Sequence, residues 1–448
     1  MDVIQRNTLN NLRKWRFSET RKPLVLRGAR QVGKTTLVKE FAKEFDIFLH
    51  LNLEKDDDCG LFEAHNDVNL LIQAIFMHKR QQQRNGSTLL FIDEIQNSKR
   101  AVAMLRYFYE EANHIHVIAA GSLLETVMDL RKISFPVGRI EFMALRPCSF
   151  TEFQNGTGDA FDAENVCNLN VIPAIHERVM RQFHEYTLVG GMPAAIVQYA
   201  KKRDVLSVSS IYTSLLQTYK DDVEKYSSSA ALIKVIRTIL DVGWTQAAEA
   251  IVFEGFANTN YRSREISEAF QTLSKAMLME LVYPTGEVQS PILPNQRRKP
   301  KLLWLDTGLV NFAVGLQQDV FSAPDINDVW RGRIAEHIVG QEIIALNDNI
   351  LAKRSYWRND KHGSDAEVDF LYPFQGLQIP IEVKSGHNAR LRSLHQFMDA
   401  TNHDLAIRVW SKPYAIDDVT TPNGKHFRLI NLPFYYAGQI EKVLKKEI

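Results

Sequence analysis

At 448 residues the chain is too long for one ordinary core, which sets an expectation of roughly two to four domains. Its 45% hydrophobic and 24% charged content is that of a soluble globular protein and excludes a disordered one. A formal net charge of +1 excludes attraction of the whole molecule to nucleic acid, so any such binding must come from local patches. Cys59, Cys148 and Cys167 have no C-x-x-C spacing, which indicates neither a zinc site nor a disulfide framework. Reduced thiols and a cytoplasmic location are the expectation. Residues 1–15 lack the apolar run of a secretory signal, and no apolar run approaches the ~18 residues of a membrane span.

Residues 1–22 place Ile4, Leu9, Leu12 and Trp15 on an approximate helical stripe. The strand-like Leu24-Val25-Leu26 then runs into Gly28-Ala29-Arg30-Gln31-Val32-Gly33-Lys34-Thr35, which fits G-x-x-x-x-G-K-[ST], and into a helix-like stretch at 37–41. Glycines let backbone N–H groups curl around an anion, and the following helix adds the partial positive charge of its N-terminus. Lys34 would reach the β- and γ-phosphates of a nucleoside triphosphate, the Thr35 hydroxyl would ligate Mg²⁺, and Thr36 closes the cradle. A second strand is expected at 47–53, ending in the acids of 54–58, and a helix at 68–83. Leu89-Leu90-Phe91-Ile92-Asp93-Glu94 reads as a buried parallel strand whose carboxyl end bears the chemistry. Asp93 would hold Mg²⁺ and Glu94 would orient the attacking water. The next strand, 116–120, runs into Gly121-Ser122, where Ser122 either senses the γ-phosphate or closes a turn. Arg139 stands at the mouth of a fifth strand. It is either a surface arginine or a stabiliser of transition-state charge, in cis or from a neighbouring subunit.

The phosphate loop, Phe91-Ile92-Asp93-Glu94-Ile95-Gln96, Ala120-Gly121-Ser122 and Val137-Gly138-Arg139 with Leu145-Arg146-Pro147 together resemble one group of prokaryotic AAA-type P-loop ATPases, which join such a domain to a C-terminal domain of unknown function. The resemblance implies an α/β core whose parallel sheet has strand order 5-1-4-3-2, with ATP and Mg²⁺ as cofactors. It gives Asp93 and Glu94 the metal and water-activating roles, Ser122 a sensor role and Arg139 a finger role. No second sensor arginine is recognisable later in the chain.

Residues 150–226 read as helices broken at Gly190-Gly191-Met192-Pro193, with a long periodic segment over 205–220. Beyond 228 helices are expected at 230–242 and 246–253 and within 261–281, followed by the strand-like 302–305. Three helices and a β-wing make a winged helix-turn-helix. Arg262, Arg264, Gln271 and Lys275 would face a duplex from the third helix, and Arg297, Arg298, Lys299 and Lys301 would crowd the wing tip, where basic side chains contact phosphates without reading sequence. Glu265 and Glu268 dilute that field.

The last segment carries a second chemical pattern. A helix at 330–346 bears Glu336. Ala366-Glu367-Val368-Asp369-Phe370-Leu371 and Ile379-Pro380-Ile381-Glu382-Val383-Lys384-Ser385 flank a short turn and read as a β-hairpin. Glu382 and Lys384 share one face, which Asp369 can reach from the neighbouring strand. The order helical Glu, Asp, then Glu-x-Lys resembles the PD-(D/E)xK nuclease superfamily and implies an α/β restriction-endonuclease-like fold. By that resemblance Asp369, Glu382 and the Val383 carbonyl bind Mg²⁺, Lys384 holds the water or the phosphate, Glu336 holds the metal or its waters, and Gln396 is accessory. Val368 stands where the superfamily often has Pro.

The expected organisation is therefore an ATPase core over 1–154, a helical lid or linker over 155–227, a winged helix over 228–323 and a nuclease-like domain over 324–448. Two functions fit it: an ATP-dependent enzyme acting on DNA, with cleavage gated by nucleotide state, or a regulatory scaffold ATPase whose last domain binds without cutting. Neither calls for a membrane, and both allow a homo-oligomer.

Overall fold

The computed structural model describes residues 4–121, 134–316, 328–359, 365–385 and 391–447. Ser122 therefore lies outside the described residues. The chain opens with α1 (Thr8–Arg16), β1 (Leu24–Arg27), α2 (Lys34–Ala42), β2 (Ile47–Asn52), α3 (Asp56–Ala64), α4 (Val68–His78), β3 (Thr88–Asp93), α5 (Lys99–Glu110), β4 (Ile115–Gly121) and β5 (Glu141–Ala144). The five strands form one parallel sheet in the order β2-β3-β4-β1-β5, the expected order read from its other edge. Both faces are covered, as a parallel sheet requires. Leu24, Leu26, Phe91 and Ile118 enter one core cluster, while their strand neighbours Val25, Leu90, Ile92 and Val117 enter another. Two boundaries depart from the pattern reading. The acids at 56–58 begin α3, where carboxylates complement the positive end of a helix. The fourth helix stops at His78 rather than near 83, with Arg80 in a left-handed conformation just beyond it.

Helices α6 (Phe150–Thr157), α7 (Ala160–Cys167), α8 (Pro173–Val189), α9 (Pro193–Lys202), α10 (Ser209–Asp221) and the single turn α11 (Val223–Tyr226) follow. Ser149 and Glu152 start α6 with a reciprocal capping box. The break between α8 and α9 is a close approach of chain to chain. A Cβ on Gly190 would sit 2.3 Å from Asp306 Oδ1, and one on Gly191 would sit 2.4 Å from the Cys148 carbonyl oxygen. Asp306 fastens that turn by accepting from the Gly191 N–H at 2.5 Å.

Next come α12 (Ala230–Val242), α13 (Ser263–Lys275), β6 (Met279–Val282), β7 (Pro284–Thr285), β8 (Lys301–Trp304) and α14 (Thr307–Ala313). The helix expected at 246–253 is not formed. A 3-10 turn at Gly243–Gln246 leads into Ala248 at positive φ, and Ala247 and Ala250 bridge to Leu302 and Lys301 of β8. The apolar residues there pack beside a strand, and that tertiary pairing overrides their helical spacing. Strands β6 and β8 make a two-stranded antiparallel ribbon.

The chain ends with α15 (Asp328–Ala345), β9 (Ser355–Arg358), β10 (Glu367–Phe374), β11 (Leu377–Val383), α16 (Arg392–Ala400), β12 (Leu405–Trp410), β13 (Ala415–Thr420), β14 (His426–Pro433) and α17 (Ile440–Glu447). Seven strands form a mixed sheet in the order β13-β14-β12-β11-β10-β9-β7. Its edge strand β7 comes from before position 324, across the expected domain boundary, and pairs in parallel with β9. The expected hairpin is β10–β11, turning at Gln375 and Gly376, both at positive φ. His337 joins α15 to the ribbon: its Nε2 accepts from the Trp304 N–H at 2.9 Å, and Nδ1 lies 2.7 Å from the Thr307 hydroxyl. Burial lowers its pKa to about 3, so the ring is neutral and can accept.

Glu342, also on α15, is buried among groups from three helices. Its Oε1 accepts from the Phe150 N–H at 3.0 Å and the Tyr186 hydroxyl at 2.8 Å. Burial raises its pKa from 4.5 to about 7. Because the folded state holds this proton more tightly than the unfolded chain, its contribution is full below about pH 4.5 and is lost as pH rises to about 7. Glu342→Gln keeps the acceptor oxygen and removes the titration. We expect it to melt at a higher temperature than wild type at pH 8 and at a similar one near pH 4.5, a pattern that a pH series of thermal melts reads directly.

Candidate functional site

The phosphate loop lies between β1 and α2, at the carboxyl end of the parallel sheet. Gly33 has φ of +96° and precedes α2, whose first turn receives no side-chain cap and so keeps N–H groups directed at the loop. A Cβ on Gly28 would sit 2.4 Å from the Leu145 carbonyl oxygen, so only glycine lets the loop pass the exit of β5. Lys34 Nζ donates to the carbonyls of Gly28 at 2.9 Å and Ala29 at 3.0 Å, which puts its charge inside the curl. Burial lowers the Lys34 pKa to about 8 against the opposing pull of Glu94 and Asp93. The arrival of phosphate would hold that proton in place.

Thr35 Oγ1 donates to Asp93 Oδ2 at 2.8 Å, which brings together the two oxygen ligands that the sequence assigned to Mg²⁺. Hard oxygen donors from a hydroxyl and a carboxylate suit this ion. Glu94 stands at positive φ directly after β3, and its Oε2 accepts from Gln96 Nε2 at 2.5 Å. Ala29, Gln31, Val32 and Thr36 complete the loop and the first helical turn. Arg30 turns outward, where its guanidinium meets Asp222 at 2.6 Å and joins the loop to the end of α10.

Pattern reading missed four residues here. Arg6 is almost fully buried and donates to the carbonyls of Val32 at 3.0 Å and Arg146 at 2.6 Å, bracing the loop from beneath. His50 on β2 lies 3.8 Å from Asp93. Gln96 steadies Glu94, and Asp222 holds Arg30. Only Gln96 left a trace in the sequence, as part of the string that follows β3. The other three come from distant elements.

Arg139 is a correction. In the register of β5 on β1, Glu141 lies beside Leu24, so Arg139 sits where β1 begins and the loop leaves from where β1 ends. Four residues of strand, about 13 Å, separate the two ends. Arg139 pairs instead with Glu110 at 2.6 Å. A contact to the nucleotide of its own chain is excluded by this geometry, and a contact in trans would need a second copy.

The second cluster forms on β10 and β11. Register places Phe370 opposite Ile381, so Asp369 falls opposite Glu382 one step further on. Asp369 Oδ2 accepts from the Val383 N–H at 2.7 Å, and Lys384 Nζ lies 2.6 Å from Glu382 Oε1. Glu382 is 4% exposed, and its Oε2 has no hydrogen-bond partner. An orphaned carboxylate oxygen beside a second carboxylate suits a divalent cation. Burial raises the pKa of Asp369, and burial together with Asp369 raises that of Glu382, strain which a metal ion would relieve. Among the described residues no three His, Cys, Asp or Glu side chains converge on one metal position, so the cluster offers a pair of carboxylates rather than a triad.

Two assignments change here. Glu336 points to Lys301, with Nζ to Oε1 at 2.6 Å. Lys301, expected at an exposed wing tip, is instead buried and also meets Glu367 at 2.6 Å and Asp369 at 3.8 Å. Its side chain reaches the acids of β10 in the C-terminal sheet, so this end of the ribbon does not project into solvent. Gln396 accepts from Asn359 Nδ2 at 3.2 Å. Of the other basic residues, Arg262, Arg264, Arg297 and Lys299 are exposed and Arg298 is half-buried, while Lys275 lines a junction cavity with Arg27, Arg146 and Arg354.

A parallel sheet of this order, with a glycine phosphate loop after β1 and a carboxylate pair ending β3, defines an AAA-type P-loop ATPase domain. Residues 20–154 match an AAA domain family, residues 180–320 the domain of unknown function DUF8612, and residues 331–435 the domain of unknown function DUF4143. The chain thus carries an AAA-type ATPase domain ahead of two domains of unknown function. No curated protein matches it. Among solved structures it is similar to a Walker-type ATPase of Pyrococcus abyssi, with 14% identity, a TM-score of 0.41 and coverage of 70% of this chain and 96% of that one. It is also similar to the Aeropyrum pernix ORC2 protein in ADPNP–ADP complexes, with 10% identity, a TM-score of 0.34 and coverage of 72% and 97%. A third is the Aeropyrum pernix ORC1 protein in complex with DNA, with 12% identity, a TM-score of 0.28 and coverage of 72% and 94%. Likenesses this distant decide nothing about partners. Among the described residues no helix is long and apolar enough to cross a membrane.

Lys34→Ala should abolish nucleotide binding in a fluorescent-nucleotide titration; retained affinity would remove the phosphate-loop assignment. Gln96→Ala should leave binding intact and lower kcat by about tenfold, since Glu94 loses the partner that orients it.

Proposed function

We propose that the chain hydrolyses ATP and acts on DNA, with a C-terminal PD-(D/E)xK-type centre that cleaves it in a Mg²⁺-dependent reaction. The observation that carries this reading is the juxtaposition of Asp369, Glu382 and Lys384 on adjacent strands, with Glu382 Oε2 left without a partner. Asp369 and Glu382 would hold the ion, which on binding would activate water and offset charge at the scissile phosphate. Lys384 would hold the attacking water or the developing phosphate charge, held in place by Glu382. At the other centre Thr35 and Asp93 would hold Mg²⁺, Lys34 would clamp the phosphates and Glu94 would orient the hydrolytic water.

The region over 228–323 serves in this reading as a winged helix, with α13 and the 295–299 loop toward the duplex. Arg262, Arg264, Arg297, Arg298 and Lys299 are the phosphate contacts. Nucleotide state would reach the rest of the chain through the Arg30–Asp222 pair between the loop and α10. Arg139 would complete a neighbouring copy's nucleotide site in a homo-oligomer.

One observation favours the regulatory alternative, in which the last domain binds without cutting. Lys301 already occupies part of the acid cluster and engages Glu336, which the nuclease pattern assigns to the metal.

The deciding experiment is a cleavage assay on plasmid, linear and branched DNA with Mg²⁺ or Mn²⁺, with and without ATP. Cutting by wild type that is lost in Asp369→Ala and in Lys384→Ala establishes the centre. No cutting by any of the three, with equal DNA binding, selects the regulatory reading. Separately, replacing Arg297, Arg298 and Lys299 together by Ala should weaken DNA binding across all sequences and flatten the salt dependence by about one to three log units per decade of salt. An unchanged slope would remove this loop from the interface.

A further inference from the structure

We propose that the cavity where the β6–β8 ribbon and the end of α15 meet the ATPase domain binds a small phosphate-bearing molecule. This site is separate from the phosphate loop and independent of any action on DNA.

The cavity has a volume of about 290 Å³, at the small end of ligand pockets. Arg27 and Ala29 wall it from the ATPase domain, together with 145–147. The stretch 274–280, between α13 and β6, and the end of β8 form a second side, and the end of α15 with 350–354 forms the third. Lys34, Thr35 and Asp93 take no part in the wall, so it is not the nucleotide's own cradle.

Five basic residues line the cavity, Arg27, Arg146, Lys275, Lys353 and Arg354, against one acid, Glu280. That acid is already engaged. Its Oε2 accepts from Arg354 Nε at 3.0 Å and Nη2 at 2.8 Å, and its Oε1 accepts from the Arg354 N–H at 2.9 Å. Arg146 is met by backbone carbonyls instead, Asn347 at 3.1 Å from Nε and Asn349 at 3.3 Å from Nη2. Burial and the charge of Arg354 lower the Arg146 pKa to about 10, and among the described residues Glu280 is the one carboxylate that opposes them. Lys353 is exposed and forms no ion pair among the described residues.

Two guanidinium groups thus share one carboxylate in a partly buried space, where a charge without its partner is costly. A phosphate monoester answers that arrangement. It carries nearly two negative charges at neutral pH, and its oxygens match the fork of a guanidinium. Met277, Met279, Trp304 and Leu305 give the cavity an apolar side, which suits an organic body attached to the phosphate.

The test is isothermal titration calorimetry on the full chain carrying Lys34→Ala, which empties the phosphate loop. The probes are inorganic phosphate, ribose 5-phosphate and AMP. At least one should bind at a single site per chain, and no binding by any of them at millimolar concentration overturns the proposal. Equal affinity for all three identifies bare phosphate as the ligand, and tighter binding of the organic probes brings in the apolar side. Arg146→Gln should weaken binding about tenfold or more. Ala352→Trp, which fills the cavity and leaves every charge in place, should do the same. Unchanged affinity in either variant, shown to be folded by its thermal melt, overturns the site. Lys353→Ala covers misfolding of both, since removing an exposed side chain disturbs no packing. It should weaken binding about two- to fivefold, and unchanged affinity there also overturns the proposal. Replacing Arg297, Arg298 and Lys299 together by Ala should leave the titration as it was; loss of binding would move the phosphate to that loop and overturn the cavity.

Discussion

Buried carboxylates decide how this chain holds together. Taking an acid out of water costs several kcal/mol unless its lone pairs are met. At Asp306 they are met by the Gly191 and Leu309 N–H groups and the Tyr212 hydroxyl. At Glu342 they are met by the Phe150 N–H and the Tyr186 hydroxyl, and Glu152 pairs with Arg6 at 3.1 Å. Each acid ties elements distant in sequence, so the regions are joined by directional bonds as well as by apolar packing. One core cluster takes in residues from Ile4 to Leu444, and these acids tie together the elements that form it. Glu382 departs from the rule, since one of its oxygens is left unmet, and it is there that chemistry is to be sought.

The phosphate loop is pre-shaped by the same kind of support. Its curl is pressed against the Leu145 carbonyl at Gly28, braced through Val32 by Arg6 and tethered through Arg30 to Asp222. Those three restraints come from the exit of β5, the segment before α1 and the turn that follows α10. A loop so held presents its N–H groups without the entropy cost of ordering them on binding. The same tethers make it a place from which occupancy can be felt elsewhere.

Much of this was legible in the sequence, and the pattern of successes is physical. Strands β1, β3 and β4 are buried on both faces and read as apolar runs, and the resemblance to AAA-type ATPases implied their order. The β10–β11 hairpin announced itself through alternation and its Gln375-Gly376 turn. What could not be read were pairings decided in three dimensions. Ala247 and Ala250 have helical spacing but bridge to β8. Arg139 follows a plausible motif, yet the parallel register sets it at the far end of the sheet. Lys301 follows three other basic residues, Arg297, Arg298 and Lys299, like any surface cation, and nothing local marks it as buried. Strands β12, β13 and β14 went unrecognised because no ligand-bearing motif drew attention to their alternation.

The two-residue strand β7 has a consequence for anyone who cuts this chain into pieces. It lies at the edge of the C-terminal sheet, but belongs to the stretch before residue 324. Around it, Trp357 Nε1 donates to the Gly286 carbonyl and Gln378 Nε2 to the Ser290 hydroxyl, and Val288 and Ile292 cover a small core of their own. A fragment begun at a boundary drawn from sequence would lose that cover and leave the side of β9 bare, a template for pairing with other chains. Insolubility or silence of such a fragment would then report a missing edge, and say nothing about what the intact sheet does.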